Sequence, residues 1–368
     1  MRIKHWDNFA FIAGYHLLLL LLLPLFVIHF HWSALVLCFV TYVLGGLAIT
    51  AGYHRLFSHK AYKASPVYEM LNLFFATLAV EASALQWSND HRVHHTHVDT
   101  DKDPYNINRG FFYAHIGWLF VHHVPIQDRV VSDLKKNPRV MFQYNHLLAM
   151  SLVSNGLVFA IGCLFMHPIA SLVGGVLLRV FLIHHCTWFI NSLAHIWGSR
   201  TYAKEQTAVD NGILALLTFG EGYHNYHHAL AYDYRNGIRW YHFDPTKWLV
   251  WTCSKLGMTS DLRRVSKVHL QKILVSKDKE LLMDRFKTEF DEKAVELRKR
   301  AEELAHTFEE KAAVILRKAR ELKDATDAKR LELKLEIKEL KRELKVHWKE
   351  WVELTQYVVK NYHIAHAH

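Results

Sequence analysis

Long apolar stretches constrain the fold of this 368-residue chain more than any other feature. Residues 9–28, 33–53, 147–166 and 169–190 are each apolar and about as long as a helix that crosses a bilayer. A chain in lipid must satisfy its backbone hydrogen bonds internally, and a single segment does so as a helix. The sequence therefore predicts an all-α integral membrane protein with four transmembrane helices.

The basic residues predict how these helices are oriented. No Lys or Arg lies between Lys4 and Arg55, or between Arg139 and Arg179, so the short loop within each pair of helices carries no positive charge. Because positive charge concentrates on the cytosolic side, we expect a multi-pass protein with both termini in the cytosol, in the inner membrane if it is bacterial. The net charge of +10 then indicates an anionic membrane surface rather than nucleic acid.

Three histidine-rich segments, here called boxes, lie at the ends of the predicted spans: residues 54–59, 91–95 and 224–228. Two have the spacing His-x-x-His-His, which places three imidazoles on one helix face, so we expect each box to aim them at one point. Eight histidines are about twice what a closed tetrahedral zinc site uses, which favours one shared centre of two metal ions. The candidate ligands are His54, His59, His91, His94, His95, His224, His227 and His228.

Further candidates lie outside these positions. Asn191 and His195, between the last span and the third box, are at helical spacing i, i+4. We predict His195 as a ninth ligand and Asn191 as the holder of a metal-bound water. Asp90, Glu221 and Asp210 are candidates to accept the second ring protons of the ligands. Imidazole suits zinc, copper, iron and nickel, so the histidines alone leave the metal open.

Residues 67–87 are long enough to cross the membrane but contain Glu69 and Glu81, and a carboxylate in lipid is costly. A crossing here would also put the first two boxes on opposite sides of the membrane. We therefore predict a re-entrant or surface-lying helix, which leaves all three boxes and the metal centre in the cytosol.

No proline follows Pro245, no glycine follows Gly257, and the composition changes from about Lys277 onward. We predict a membrane domain, 1–264, and a C-terminal extension, 265–368. The extension is rich in Glu, Lys, Arg, Leu and Ala, with apolar residues every three or four positions. We predict a long charged helix or coiled coil, either a hairpin packed on the body or a stalk that joins copies into a homo-oligomer. The recurring residues include Phe290, Ala294, Leu297, Ala301, Leu304 and Phe308.

Several motifs add to the boxes: Gly52-Tyr53-His54-Arg55, Asp103-Pro104-Tyr105-Asn106, Thr187-Trp188-Phe189-Ile190-Asn191 and Asp233-Tyr234-Arg235. With them, residues 33–264 resemble the membrane fatty acyl desaturases, and most closely bacterial members of the acyl-CoA Δ9 (stearoyl-CoA-type) branch. The resemblance implies a cytosolic helical cap in which the nine histidines hold two iron ions and Asn191 holds a water.

The resemblance also implies an oxidoreductase that uses dioxygen to insert a cis double bond, at Δ9, into a saturated acyl chain. The chain would lie in a bent, closed tunnel, with Thr187 and Trp188 at the bend and Tyr42 and Gly46 at the blind end. The tail lacks the fused cytochrome domain of some relatives, so electrons are expected from a separate protein, such as a ferredoxin or a b-type cytochrome.

Some positions depart from the eukaryotic acyl-CoA enzymes. Asn89 stands where those enzymes carry an arginine that contacts the CoA head group. The next residue, Asp90, is included among the predicted substrate-binding residues. His122-His123 replaces Arg-Lys, and Glu81 replaces a glutamine. Lost cations weaken contacts with phosphates. Acyl-CoA is the first expectation for the carrier, and acyl-carrier protein and intact phospholipid stay open.

Two other functions share parts of this pattern. A di-iron membrane hydroxylase of fatty acids, alkanes or sterols would use the same boxes, but its product gains oxygen instead of losing two hydrogens. A non-enzymatic multi-histidine metal protein, such as a transporter or sensor, would place its ligands within the spans along a polar path. Here the boxes lie at span ends, which favours the desaturase.

Overall fold

The computed structural model describes residues 3–121, 125–287 and 291–362. The chain forms two compact units, Met1–Arg264 and Val265–His368. The expectations that concern His122, His123 and Phe290 lie outside the described residues.

Helices make up nearly all of the regular structure in the described residues. In chain order the α-helices are α1 (Trp6–Ile28), α2 (Trp32–Leu47), α3 (Pro66–Ala76), α4 (Ala84–His97), α5 (Trp118–Val121), α6 (Asp128–Lys135), α7 (Pro138–Asn145), α8 (Leu147–Cys163), α9 (Pro168–Ala170), α10 (Arg179–Asn191), α11 (Gly212–Leu217), α12 (His224–Ala229), α13 (Pro245–Lys255), α14 (Lys267–Phe286), α15 (Glu292–Asp324) and α16 (Asp327–Asn361). The π-helical segments are Ala48–Ser58, Tyr113–Gly117 and Ser171–Leu178, and the 3-10 segments are Thr77–Ala79, Ile107–Arg109 and Leu193–His195. The short strands β1 (Lys63–Ala64) and β2 (Thr259–Ser260) pair antiparallel, with Lys63 opposite Ser260.

Three helical segments of the described chain are long and apolar enough to cross a membrane: Trp6–Ile28, Trp32–Ser58 and Pro168–His195. Each corresponds to one predicted span. The remaining predicted span, 147–166, corresponds to α8, which ends at Cys163 and has 17 residues. It is long enough to cross a membrane only if α7 is counted with it. The axes of α7 and α8 differ by 79°.

The segment predicted as one re-entrant or surface-lying helix, residues 67–87, is two helices separated by a break. The second of them, α4, begins after Ser83, whose hydroxyl accepts the backbone N–H of Gln86. In the break Val80 has a left-handed backbone with φ of +55°, which is unusual for a β-branched residue. The break carries Glu81 between the two helices, so this carboxylate does not lie on a lipid-facing helix.

Arg179 lies within a predicted span and is fully buried, so it faces protein rather than lipid. Its guanidinium donates hydrogen bonds to the carbonyl oxygens of Gly175 and Leu78 and to the side-chain oxygen of Asn155. Leu78 belongs to the 3-10 segment before the break, and Asn155 to α8. Arg179 therefore ties the last spanning helix to both the break and α8.

The second unit is a bundle of α14, α15 and α16. Helices α15 and α16 run antiparallel, since Lys311 pairs with Glu343 and Lys318 with Glu336, each at 2.6 Å. The predicted charged helix therefore folds back on itself, with the reversal at Ala325 between the two helices. Its apolar stripes face one another inside the bundle, where the buried residues include Ala301, Ala305, Phe308, Ile315, Leu344 and Trp351.

We expect Arg179→Leu to destabilise the first unit, because leucine removes the buried donor of the Leu78 carbonyl and the Asn155 side chain. Each buried group left without a partner costs about 1–3 kcal/mol. The thermal unfolding midpoint of the purified variant should therefore fall. Arg129→Leu, on the exposed surface of α6, is the control; equal midpoints for the two variants would contradict this role.

Candidate metal centre

The first histidine box lies on Ala48–Ser58, the π-helical continuation of α2. A π-helix bonds residues five apart, and here the N–H of His59 donates to the carbonyl of His54 at 3.1 Å. His54 and His59 therefore share one face, with ring centroids 4.8 Å apart. An α-helix would rotate positions i and i+5 about 140° apart, so the π-helical turn is what joins these two imidazoles.

The second box lies on α4 and the third on α12, and neither aims its three imidazoles at one point as predicted. His91 and His95 join one group of nitrogens, whereas His94 joins another. Positions i and i+4 differ by about 40° around an α-helix, while i+3 lies about 100° from i+4, so the middle histidine points to the other side. The third box divides in the same way. The resulting groups are His54, His59, His91, His95 and His227, and His94, His195, His224 and His228.

All nine histidines predicted as ligands lie in these two groups, and within each group the donor atoms lie within 4.8 Å of one another. Neighbouring rings meet through their Nε2 atoms. The Nε2–Nε2 distances are 2.8 Å for His59–His91, 3.0 Å for His54–His227, His95–His227 and His224–His228, 3.2 Å for His195–His224, and 3.3 Å for His94–His228. Asn191 ends α10 and lines a cavity with His54, His91 and His224.

Oxygen atoms lie at the opposite nitrogen of five of these rings; the longest of these contacts, 3.4 Å, joins His91 Nδ1 to the Tyr105 hydroxyl. An acceptor at Nδ1 requires the ring proton there, which leaves the lone pair on Nε2. The Thr207 hydroxyl donates to Asp99 and so presents its oxygen to His195. The other contacts from Nδ1 are His54 to Glu221 at 2.7 Å, His94 to Asp103 at 2.8 Å, His195 to Thr207 at 2.7 Å and His228 to Gln206 at 2.9 Å.

The charge state of the rings decides what the groups can bind. Burial, followed by the influence of the neighbouring imidazoles, lowers the pKa of six of them well below the usual value, so they are neutral. Neutral imidazole is the form that binds metal, and facing Nε2 lone pairs about 3 Å apart repel unless a cation lies between them. The donor set therefore fits two cations, one in each group. The six residues are His59, His91, His95, His224, His227 and His228.

Glu221 is held in its ionised form. The Arg55 guanidinium donates to Glu221 at 2.7 Å and to Asp244 at 3.1 Å, and the Asn236 amide donates to Glu221 at 2.6 Å. Burial alone would raise the pKa of Glu221, but Arg55 and His54 outweigh it and hold this pKa below its usual range. An ionised Glu221 keeps the proton of His54 on Nδ1 and its lone pair toward the metal group.

The other two predicted ring acceptors have different roles. Asp90 accepts hydrogen bonds from Gln86 at 2.7 Å and Asn89 at 3.1 Å, and burial raises its pKa to about 7. Asp210 accepts the backbone N–H of Tyr226 at 3.0 Å and so supports the first turn of α12. Within the described residues, neither the Asp90 nor the Asp210 carboxylate forms a hydrogen bond with a ring of the two histidine groups.

Four ring partners were missed in the sequence, namely Asp103, Tyr105, Thr207 and Gln206. Asp103 lies in a motif that carries the family resemblance, and an acidic residue nine positions after His94 was a usable signal. Thr207 and Gln206 lie in an irregular segment between α10 and α11, where no periodicity relates them to a ligand. Only the folded chain brings them to His195 and His228.

A cavity of about 420 Å³ adjoins the metal centre. Its walls include His54, His91 and His224 from the two groups. All five residues predicted to contact the substrate also line it, namely Tyr42, Gly46, Asp90, Thr187 and Trp188. A largely apolar cavity can hold a hydrocarbon chain, and this one lies beside the two histidine groups that fit metal ions.

Gly46, which the family resemblance places at the blind end of the tunnel, lies in the cavity wall. A glycine there would leave room for the methyl end of a chain if the space beside it were empty. Instead the ring of Phe219 fills this space, and a Cβ on Gly46 would lie 2.1 Å from its Cε2 atom. The Tyr42 hydroxyl donates to the Leu217 carbonyl at 2.5 Å, which fixes the wall beside Phe219.

The sequence matches the fatty acid desaturase family over residues 9–260. The chain belongs to this family. It is 33% identical to the sn-1 stearoyl-lipid 9-desaturase of Anabaena variabilis over 267 residues, which is 72% of this chain and 95% of that protein. The family resemblance noted in the sequence is confirmed, and with its spanning helices the chain is a membrane protein.

Two yeast proteins are also similar. The chain is 40% identical to the probable acyl-CoA desaturase of Schizosaccharomyces pombe over 266 residues, 70% of this chain and 55% of that protein. It is 37% identical to acyl-CoA desaturase 1 of Saccharomyces cerevisiae over 241 residues, 64% of this chain and 47% of that protein. The chain thus spans about half the length of these two relatives.

We expect Asp103→Ala to weaken metal binding, because the His94 ring loses the acceptor that fixes its tautomer and orientation. Such partners are worth about 10–100-fold in metal affinity. Competition with a chelator, followed by metal analysis of the purified protein, measures the change. Asp128→Ala, on the exposed surface of α6, is the control; equal metal retention by the two variants would contradict the assignment.

Proposed function

We propose that this protein is an oxygen-dependent fatty acyl desaturase that inserts a cis double bond at Δ9 of a saturated acyl chain. One saturated chain, dioxygen, two electrons and two protons give the unsaturated chain and two waters. The observation that carries the proposal is the placement of the two histidine groups: His54, His91 and His224 form part of the wall of a largely apolar cavity.

The metal in this proposal is iron, as a pair held by the nine histidines, with Asn191 holding a water. When bound, iron supplies the one-electron chemistry with dioxygen that an unactivated methylene group requires. The chain's own residues prepare the site for it. Glu221, Asp103, Thr207 and Gln206 fix the ring tautomers. Burial lowers the pKa of His59, His91, His95, His224, His227 and His228 and so favours the neutral form that binds metal.

The cavity supplies the choice of carbon atoms. A methylene group differs from its neighbours only in where it is held, so positioning determines which bond is formed. Thr187 and Trp188 form one part of the wall, and Tyr42 and Phe219 close another. A chain whose methyl end rests against Phe219 presents a fixed pair of carbons to the histidine groups.

The carrier in this proposal is CoA, and the electrons come from a separate protein, a ferredoxin or a b-type cytochrome. The names of the two yeast relatives favour CoA, whereas the cyanobacterial relative is named for a lipid-bound substrate. We further propose four transmembrane helices, with α8 as the fourth, and a cytosolic metal centre. This topology brings the ends of the second and last spans, which carry His54 and His195, to one side.

The direct test is fatty acid profiling, with localisation of double bonds, in cells that express the wild type or His94→Ala together with an electron donor. His94 belongs to one group and is fixed by Asp103. We expect new monounsaturated chains in the wild type and none above background in the variant.

Asp128→Ala serves as the matched control and should retain full activity. Oxygenated chains in place of unsaturated ones would assign the protein to the hydroxylases. A lipid profile unchanged by the wild type, with a reduced and functional donor present, would contradict both activities.

The fit around Gly46 predicts chain-length preference. In Gly46→Ala the new methyl group collides with Phe219, so the ring must move into the cavity and shorten it. We expect the ratio of stearoyl to palmitoyl products to fall several-fold. The double variant Gly46→Ala/Phe219→Ala should recover the longer product, because it removes the colliding ring; an unchanged product ratio in the single variant would contradict this geometry.

A further inference from the structure

Glu81 is an ionisable residue in the wall of the cavity that the proposed reaction does not use. It lies in the break between the 3-10 segment Thr77–Ala79 and α4, where the chain passes the cavity. Both carboxyl oxygens are shielded from solvent, and neither makes a hydrogen bond of standard geometry with the residues that the structure describes. Thr187 and Trp87 lie nearest to the carboxyl group, but their contacts fall short of that geometry. A buried polar group so weakly satisfied indicates a role beyond packing.

The surroundings of Glu81 offer no positive charge. Among the described residues that line the cavity there is no Lys or Arg. The nearby histidine on α10, His184, uses its two ring nitrogens on the Tyr15 hydroxyl and on the carbonyl oxygens of Ala79 and Val80. Four titratable groups face Glu81 from the surrounding elements: Tyr15 on α1, Tyr53 on the π-helical segment Ala48–Ser58, and His184 and Cys186 on α10. Asp90 and His91 of α4 lie in the same cavity wall.

The carboxyl group is therefore poised between its two forms. Burial raises the pKa of Glu81 to about 7, and the Thr187 hydroxyl and the Trp87 indole oppose this shift only in part. An acyl chain in the cavity would displace water from the same wall. Because an unpaired charge against hydrocarbon is strongly unfavourable, the bound chain must favour the neutral acid still more.

We propose that Glu81 determines substrate binding in the acyl cavity, and that the cavity binds an acyl chain only when this carboxyl group carries its proton. Where Glu81 is ionised in the free protein, binding of one chain takes up one proton, which forms the O–H bond of the acid. The inference rests on the proposed function, since it takes an acyl chain to be the ligand.

The protonated acid suits this position. It is uncharged, whereas the ionised Glu221 of the same wall is paired with Arg55. Its hydroxyl group can donate to the Thr187 oxygen, which lies beside it. A glutamine at the same place would be uncharged at every pH. The glutamate therefore adds a pH dependence that the reaction itself does not require, and the matched variant Glu81→Gln removes it without changing the shape of the wall.

The experiment measures equilibrium binding of radiolabelled stearoyl-CoA to the purified full-length protein at a series of pH values between about 6 and 9. The protonated form binds, so affinity is full below the pKa of Glu81 and falls as the pH rises through it. Above that pKa the wild type should weaken about tenfold for each pH unit relative to Glu81→Gln. Asp90 and the phosphates of the probe titrate alike in both proteins, so the ratio isolates Glu81.

Glu69→Gln is the control, because Glu69 pairs with Arg139 outside the cavity; it should keep the pH dependence of the wild type. A second measurement reads the proton directly: at about pH 8, stearoyl-CoA should raise the infrared band of a protonated carboxyl in the wild type and in Glu69→Gln but not in Glu81→Gln.

If the affinity for stearoyl-CoA falls equally with rising pH in the wild type and in Glu81→Gln, and the infrared band does not change, the role of Glu81 is overturned and the proposed function stands. Failure of all three proteins to bind stearoyl-CoA at the lowest pH would show that the proposed substrate is wrong, and the inference would fall with it.

Discussion

The interaction on which the rest of the structure depends is the convergence of neutral imidazoles on two points. Nine rings, six of them buried and three half-buried, face one another through Nε2 atoms, most of them about 3 Å apart. Nothing in such an arrangement is favourable for the side chains alone, because their lone pairs repel and water is excluded. It persists only if the surrounding chain fixes each ring, and much of the first unit can be understood as the means of fixing them.

Buried ion pairs supply part of that rigidity. Arg55 adjoins His54 in the chain and bonds to Glu221 and Asp244, so the first box and the segment before the third box share one network. Arg92, inside the second box, donates to the Ser58 carbonyl at 3.0 Å and to Asp133 at 2.7 Å. The first and second boxes thus each carry an arginine that links them to another element, and Glu221 links the segment before the third box to the first, which holds the rings in register.

The sequence identified the nine histidines that cluster in the structure, but not their division into two groups. Spacing on α-helices was enough to select the histidines of the second and third boxes. Spacing did not predict that His94 and His227 belong to different groups from the other two histidines of their boxes. On an α-helix the histidines at i and i+4 point in nearly the same direction, whereas the one at i+3 points toward a different neighbour. The pairing of His54 with His59 depends on a π-helical turn, which has no simple sequence signal. Ring partners such as Thr207 come from irregular segments, where only tertiary contacts determine position.

The same physical condition governs the metal centre and the cavity beside it. Burial lowers the pKa of the imidazoles and raises that of Glu81, so both kinds of group move toward their neutral forms. The consequences differ. A neutral imidazole gains a lone pair that a cation can use, whereas a neutral carboxyl loses the charge that hydrocarbon would exclude. One low-dielectric environment can therefore prepare a site for metal on one wall and for an alkyl chain on the next, provided that an ionised group in the wall, such as Glu221, is neutralised by a partner such as Arg55.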